Sequence, residues 1–79
     1  MAVTVRLFAR LREIAGADEL ARPAADSVAG VWQALVVEWP ALEPYAGSIS
    51  CAVNAQYARM TTTVLDGDEV AFLPPVSGG

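Results

Sequence analysis

The spacing of apolar residues changes period several times along the chain. Over residues 2–8 it alternates: Val3, Val5 and Leu7 fall on one side, Thr4, Arg6 and Phe8 on the other. A period of two is that of a half-buried strand. From Ala9 to Ala15 the spacing becomes helical, with Leu11, Ile14 and Ala15 on one face and Arg10 and Glu13 three apart on the outer one. Gly16 is a suitable left-handed cap, closing a helix of about two turns. The stretch Asp18 to Arg22 predicts a short strand, stopped by Pro23 and paired in a hairpin with the first.

Asp26 and Ser27 are N-cap residues ahead of the strongest helical pattern in the chain. Val28, Val31, Trp32, Leu35 and Trp39 then form one continuous apolar stripe, and Pro40 ends it. At this spacing the two tryptophans are read as covering a sheet rather than lining a ligand box. Gly30 either weakens the helix or lets it approach the sheet closely. Leu42 to Gly47 reads as a turn or a single helical turn, and Ile49 to Val53 as a strand. Asn54-Ala55-Gln56 is a tight turn into Tyr57 and Ala58. Thr61 to Leu65 has no assignable pattern. Asp66-Gly67-Asp68 is a turn, and the last strand, Glu69 to Leu73, leaves it.

This order predicts a two-layer α+β domain, a mixed sheet with one main helix packed on one face. With the first and last strands parallel neighbours in the middle, the long helix lies in the crossover between them. That is the β-grasp (ubiquitin-like) fold, with residues 1–73 as the domain and residues 74–79 as a free C-terminal tail.

Composition narrows the function. The hydrophobic fraction of 54% exceeds the usual value of about 45–50%, so a domain this small has apolar surface left for a partner. A net charge of −4 argues against nucleic acid. The absence of a long apolar run or a leader argues against a membrane, and the single cysteine suits a reducing compartment, so a cytoplasmic location is expected. There is no histidine to shuttle protons and no lysine for Schiff-base or ligation chemistry. Asp66, Asp68 and Glu69 read as a solvated turn and not a metal site, and Cys51 as a buried strand cysteine. The chain does not read as an enzyme on its own, and no metal or cofactor is expected on it.

The remaining candidate is the tail, Pro74-Pro75-Val76-Ser77-Gly78-Gly79. Two prolines stop the strand from pairing further and stiffen the base of the tail. Two terminal glycines arise by chance in only about 0.5% of chains, so a frayed end is the weaker reading. Six residues reach about 20 Å when extended, and glycine passes a channel too narrow for a Cβ. The terminal carboxylate is ionised and unreactive at neutral pH, so another protein must activate it. It would then acylate an amine or accept sulfur, and composition does not choose between them.

Three segments carry a resemblance: Phe8-Ala9-Arg10-Leu11-Arg12-Glu13, Val53-Asn54, and the stretch from Asp66 to Gly79. They resemble the small subunit of molybdopterin synthase, over essentially the whole chain, with Ala58 to Val64 the least similar part. The Gly-Gly end alone is shared with the thiamine-pathway sulfur carrier and with ubiquitin-like modifiers. The resemblance implies that Gly79, next to Gly78, is adenylated by a separate activating enzyme using ATP and Mg²⁺ and converted to a thiocarboxylate. It further implies that the tail enters the large synthase subunit, in a heterotetramer, and gives its sulfur to cyclic pyranopterin monophosphate. Carriers for thiamine or tungsten cofactor synthesis and protein modifiers remain as alternatives. The alternation adds a partner surface: Phe8 and Leu73 on the outer face of adjacent central strands, with Tyr57 alongside and Pro74, Pro75, Val76 and Ser77 continuing it.

Overall fold

The computed structural model describes residues 2–75, so Val76, Ser77, Gly78 and Gly79 lie outside the described residues. Five strands, β1 (Ala2–Leu7), β2 (Glu19–Pro23), β3 (Ser50–Val53), β4 (Gln56–Ala58) and β5 (Glu69–Leu73), form one sheet in the order β2-β1-β5-β3-β4. β1 and β5 are parallel and central; every other pairing is antiparallel. Helix α1 (Ala9–Ala15) lies in the connection from β1 to β2, and α2 (Val28–Glu38) in the crossover that returns the chain to the sheet. This is the β-grasp architecture expected above.

One sheet face carries the core. Val3, Val5 and Leu7 of β1 and Val70 and Phe72 of β5 are buried against Val28, Val31, Trp32 and Leu35 of α2, with Leu11 and Leu42 closing the ends. Trp32 meets Phe72 with ring centroids 5.0 Å apart at 52°, a tilted pair that adds to area burial. Trp39 behaves differently from Trp32. It is only partly buried, at the rim, where the Arg22 guanidinium sits 5.6 Å from its ring centroid. Arg22 also bonds Glu38, Nη2 to Oε1 at 2.7 Å, tying edge strand β2 to the end of α2.

Several local features depart from the sequence pattern, each for a physical reason. Pro23 ends β2 inside the strand rather than before it, which an edge strand tolerates because no neighbour needs its N–H. Ile49 lies outside β3, which begins at Ser50. Pro40 starts a 3₁₀ helix, Pro40–Tyr45, and this turn buries Leu42. Gly30 avoids Ala25 rather than the sheet: a Cβ there would stand 2.7 Å from the Ala25 Cβ. Ser27 is the N-cap residue of α2 but makes no side-chain capping bond. The first helical N–H groups instead donate to backbone carbonyls, Val28 to Thr62 at 3.0 Å and Ala29 to Met60 at 2.9 Å. The unassigned stretch before Leu65 is thus the cap of α2, pinned by a bridge between Ser27 and Thr63 and by buried Val64.

Candidate functional site

The helix-free face of the sheet holds a shallow groove of 310 Å³, lined by Phe8, Ala52, Ala55, Tyr57, Glu69, Ala71 and Leu73. Register explains its shape. Ala52 lies opposite both Tyr57 on β4 and Ala71 on β5, and Ala71 lies opposite Arg6 on β1. Two adjacent alanines make a floor with nothing above Cβ, and larger side chains stand around it. Leu7 pairs with Phe72, so the next residues, Phe8 and Leu73, emerge side by side at the end of the central strands. Phe8 caps the start of α1 in an extended conformation, which keeps its ring on the outer face.

Of the sequence-predicted partner residues, Phe8, Tyr57 and Leu73 line this groove, Pro74 and Pro75 follow Leu73, and Val76 and Ser77 lie outside the described residues. Tyr57 is 87% exposed, Phe8 is exposed, and Leu73 and Pro74 are half-buried. Four contributors were missed by sequence reading: the floor residues Ala52 and Ala71, Ala55 in the hairpin turn, and Glu69 at the start of β5. Period-two alternation assigns Ala71 to the same face as Leu73, but a small residue gives no signal until its neighbours are known. Arg6 borders the groove, its guanidinium 5.7 Å from the Phe8 ring centroid and 3.8 Å from the Glu69 carboxylate.

The remaining chemistry is quiet. Cys51 is buried, its thiol donates to the Ala58 carbonyl at 3.2 Å, and burial pushes its pKa up, away from thiolate reactivity. The acidic turn is more than solvated. Asp66 accepts the Ala2 N–H at 2.7 Å, and Asp68 accepts from the Leu65 N–H at 2.9 Å and from the Asn54 amide at 3.0 Å. Those two donors hold the Asp68 carboxyl below the usual carboxylate range. Among the described residues no group of three or more acidic, cysteine or histidine side chains is placed to hold a metal ion. No helix among them is long and apolar enough to cross a membrane.

Known proteins resemble this chain in sequence and fold. The molybdopterin synthase sulfur carrier subunit of Escherichia coli (strain K12) is 37% identical over 81 residues, covering 98% of this chain and 99% of that protein. The solution structure of small archaeal modifier protein 1 from Methanosarcina acetivorans matches with a TM-score of 0.88 and 35% identity, covering 99% of this chain and 96% of that one. A complex of subunits 1 and 2 of molybdopterin-converting factor from Helicobacter pylori 26695 matches with a TM-score of 0.69 and 29% identity over 100% of both chains. The model of the ThiS family aligns with residues 5–79, from the middle of β1 through the final glycine, and the chain belongs to that family.

Proposed function

We propose that this protein is the sulfur carrier subunit of a molybdopterin synthase, with Gly79 as its reactive end. The observation that carries the reading is full-length similarity to a carrier subunit, 98% of the chain at 37% identity, in a chain ending Gly78-Gly79. The Gly79 carboxylate attacks the α-phosphorus of ATP in a separate Mg²⁺-dependent activating enzyme, forming an acyl-adenylate and releasing pyrophosphate. A sulfide-level donor then attacks the acyl carbon, AMP leaves, and a thiocarboxylate remains. The tail, 74–79, delivers that sulfur within the large subunit to cyclic pyranopterin monophosphate, in the cytoplasm. The domain, residues 1–73, contributes docking through Phe8, Tyr57 and Leu73, and not catalysis. Solution of the Helicobacter pylori relative as a complex of subunits 1 and 2 supports a large-subunit partner, and a heterotetramer with two copies of each follows from the same reading.

Intact-mass spectrometry after incubation with ATP, Mg²⁺, a sulfur donor and the activating enzyme tests this. Exchange of the terminal oxygen for sulfur adds about 16 Da and requires Gly79. A second reading, a modifier joined to amines on other proteins, is favoured by the match to small archaeal modifier protein 1. It predicts higher-mass amide conjugates in place of the sulfur adduct. Absence of any sulfur adduct refutes the carrier reading.

A further inference from the structure

Two arginines lie within strands, and the fold treats them differently. Arg22 of β2 sits opposite Val3, an inner-face position, and its guanidinium is taken up by Glu38 at the end of α2. Arg6 of β1 sits opposite Ala71 on the outer face, and it carries the one positive charge that the strands turn outward. Glu19 lies directly opposite it on β2, yet the guanidinium meets Glu69 on β5 and the Phe8 ring instead. Both of those residues line the groove.

Neither satisfies it. The Glu69 contact, at 3.8 Å, is an ion pair too long for a hydrogen bond. The Arg6 Nε is buried without a partner, although the side chain as a whole is 40% exposed. Among the described residues, the arginine side chains that donate hydrogen bonds are Arg10 and Arg22. A polar group taken out of water with no acceptor in exchange costs the fold stability. The planar guanidinium presents five donors in a fork that matches the two oxygens of a carboxylate, and an aromatic ring 5.7 Å away steadies it. We propose that Arg6 is a binding residue whose guanidinium grips a carboxylate, an aspartate or glutamate side chain of the large synthase subunit. This rests on the docking reading above. Charge complementarity identifies the occupant: an unfilled cationic fork beside an apolar groove fits a surface that brings an acid and apolar side chains together, as a protein does. A free phosphate would leave the groove uncovered, and Glu19 and Glu69 on the neighbouring strands repel a multiply charged anion.

The test compares the full chain with its Arg6→Gln and Arg6→Lys variants. Thermal unfolding is measured on the carrier alone, and affinity by calorimetry against the large subunit from the same genome at several salt concentrations. Arg6→Gln should leave the melting midpoint little changed, since an exposed ion pair contributes little. It should weaken binding about tenfold at low salt, and the gap to the unaltered chain should narrow as added salt screens the pair. Lysine keeps the charge without the fork, so Arg6→Lys should fall between the two. Unchanged or tighter binding by Arg6→Gln overturns the proposal. A gap that does not narrow with salt also overturns it, because packing against Phe8 would then explain the loss. So does a midpoint that drops by several degrees in Arg6→Gln, since the guanidinium would already be satisfied within the domain. A lysine variant as tight as the unaltered chain, or as weak as the glutamine one, rules out the forked carboxylate contact. If the unaltered chain does not bind the large subunit, the docking reading itself has failed and the proposal falls with it.

Discussion

The central pair β1 and β5 has two ends built in opposite ways. At the end where both strands begin, polar groups are satisfied within the chain. Gly67 N–H donates to Ala2 O, Thr4 N–H to Asp68 O, and Asn54 N–H to Glu69 O, while Asp66, Asp68 and the Asn54 amide add side-chain bonds. At the end where both strands finish, Phe8 and Leu73 stand over an alanine floor, and Pro74 and Pro75 offer no N–H to any neighbour. A backbone satisfied internally closes an edge; apolar surface with unpaired chain beyond it invites another molecule. One end is closed by its own polar groups and the other exposes apolar side chains.

Three changes break or sharpen that contrast. The largest effect is expected from Phe72→Ala, which removes a fully buried ring from the inner face beneath the groove. It should lower stability by about 3–5 kcal/mol in urea titration, a large share of what a small domain has. A loss under about 1 kcal/mol would mean that the inner face does not support the groove end. Next is Leu73→Asp, one residue further and on the outer face. Partner affinity should fall at least about 30-fold, the scale of an interface hot spot, with the melting midpoint little changed. Unchanged affinity by calorimetry would remove Leu73 from the interface.

The smallest effect concerns the polar end and depends on pH. The folded Asp68 carboxyl titrates below its ordinary value of 3.8, so its ionised form stabilises the fold. That contribution is complete above the unfolded value and disappears as the pH falls through the lower folded one. Asp68→Asn should therefore be less stable at neutral pH, with the gap to the unaltered chain closing below about pH 4 in acid titration. Partner binding at neutral pH should not change. A gap that persists in acid would assign the stabilisation to something other than the charge.

Much of the fold was legible because it rests on side-chain periodicity. The alternation of Val3, Val5 and Leu7, the stripe from Val28 to Trp39 and the Asp66-Gly67-Asp68 turn each fixed an element, and the crossover rule arranged them. What stayed hidden was carried by backbone groups or by small residues. The loop before Leu65 caps α2 with the carbonyls of Met60 and Thr62, which any residue type could provide. Trp32 and Trp39 share a stripe, yet only Trp32 is buried against the central strands; Trp39, the C-cap residue of α2, is left at the rim beside Arg22 of β2. At the site, Phe8 and Leu73 were legible from strand parity. Ala52 and Ala71 became meaningful only once register set them side by side.

The position of β5 in the sheet has a mechanical consequence. It is hydrogen-bonded along both edges, parallel to β1 and antiparallel to β3. Under the proposed carrier function, a partner that draws on the chain beyond β5 would load Leu73 along the strand axis. That load is a shear, shared by the bonds on both sides at once, whereas a strand at the sheet's edge would peel away bond by bond. Held on both sides, β5 would bear such a load without unravelling the sheet.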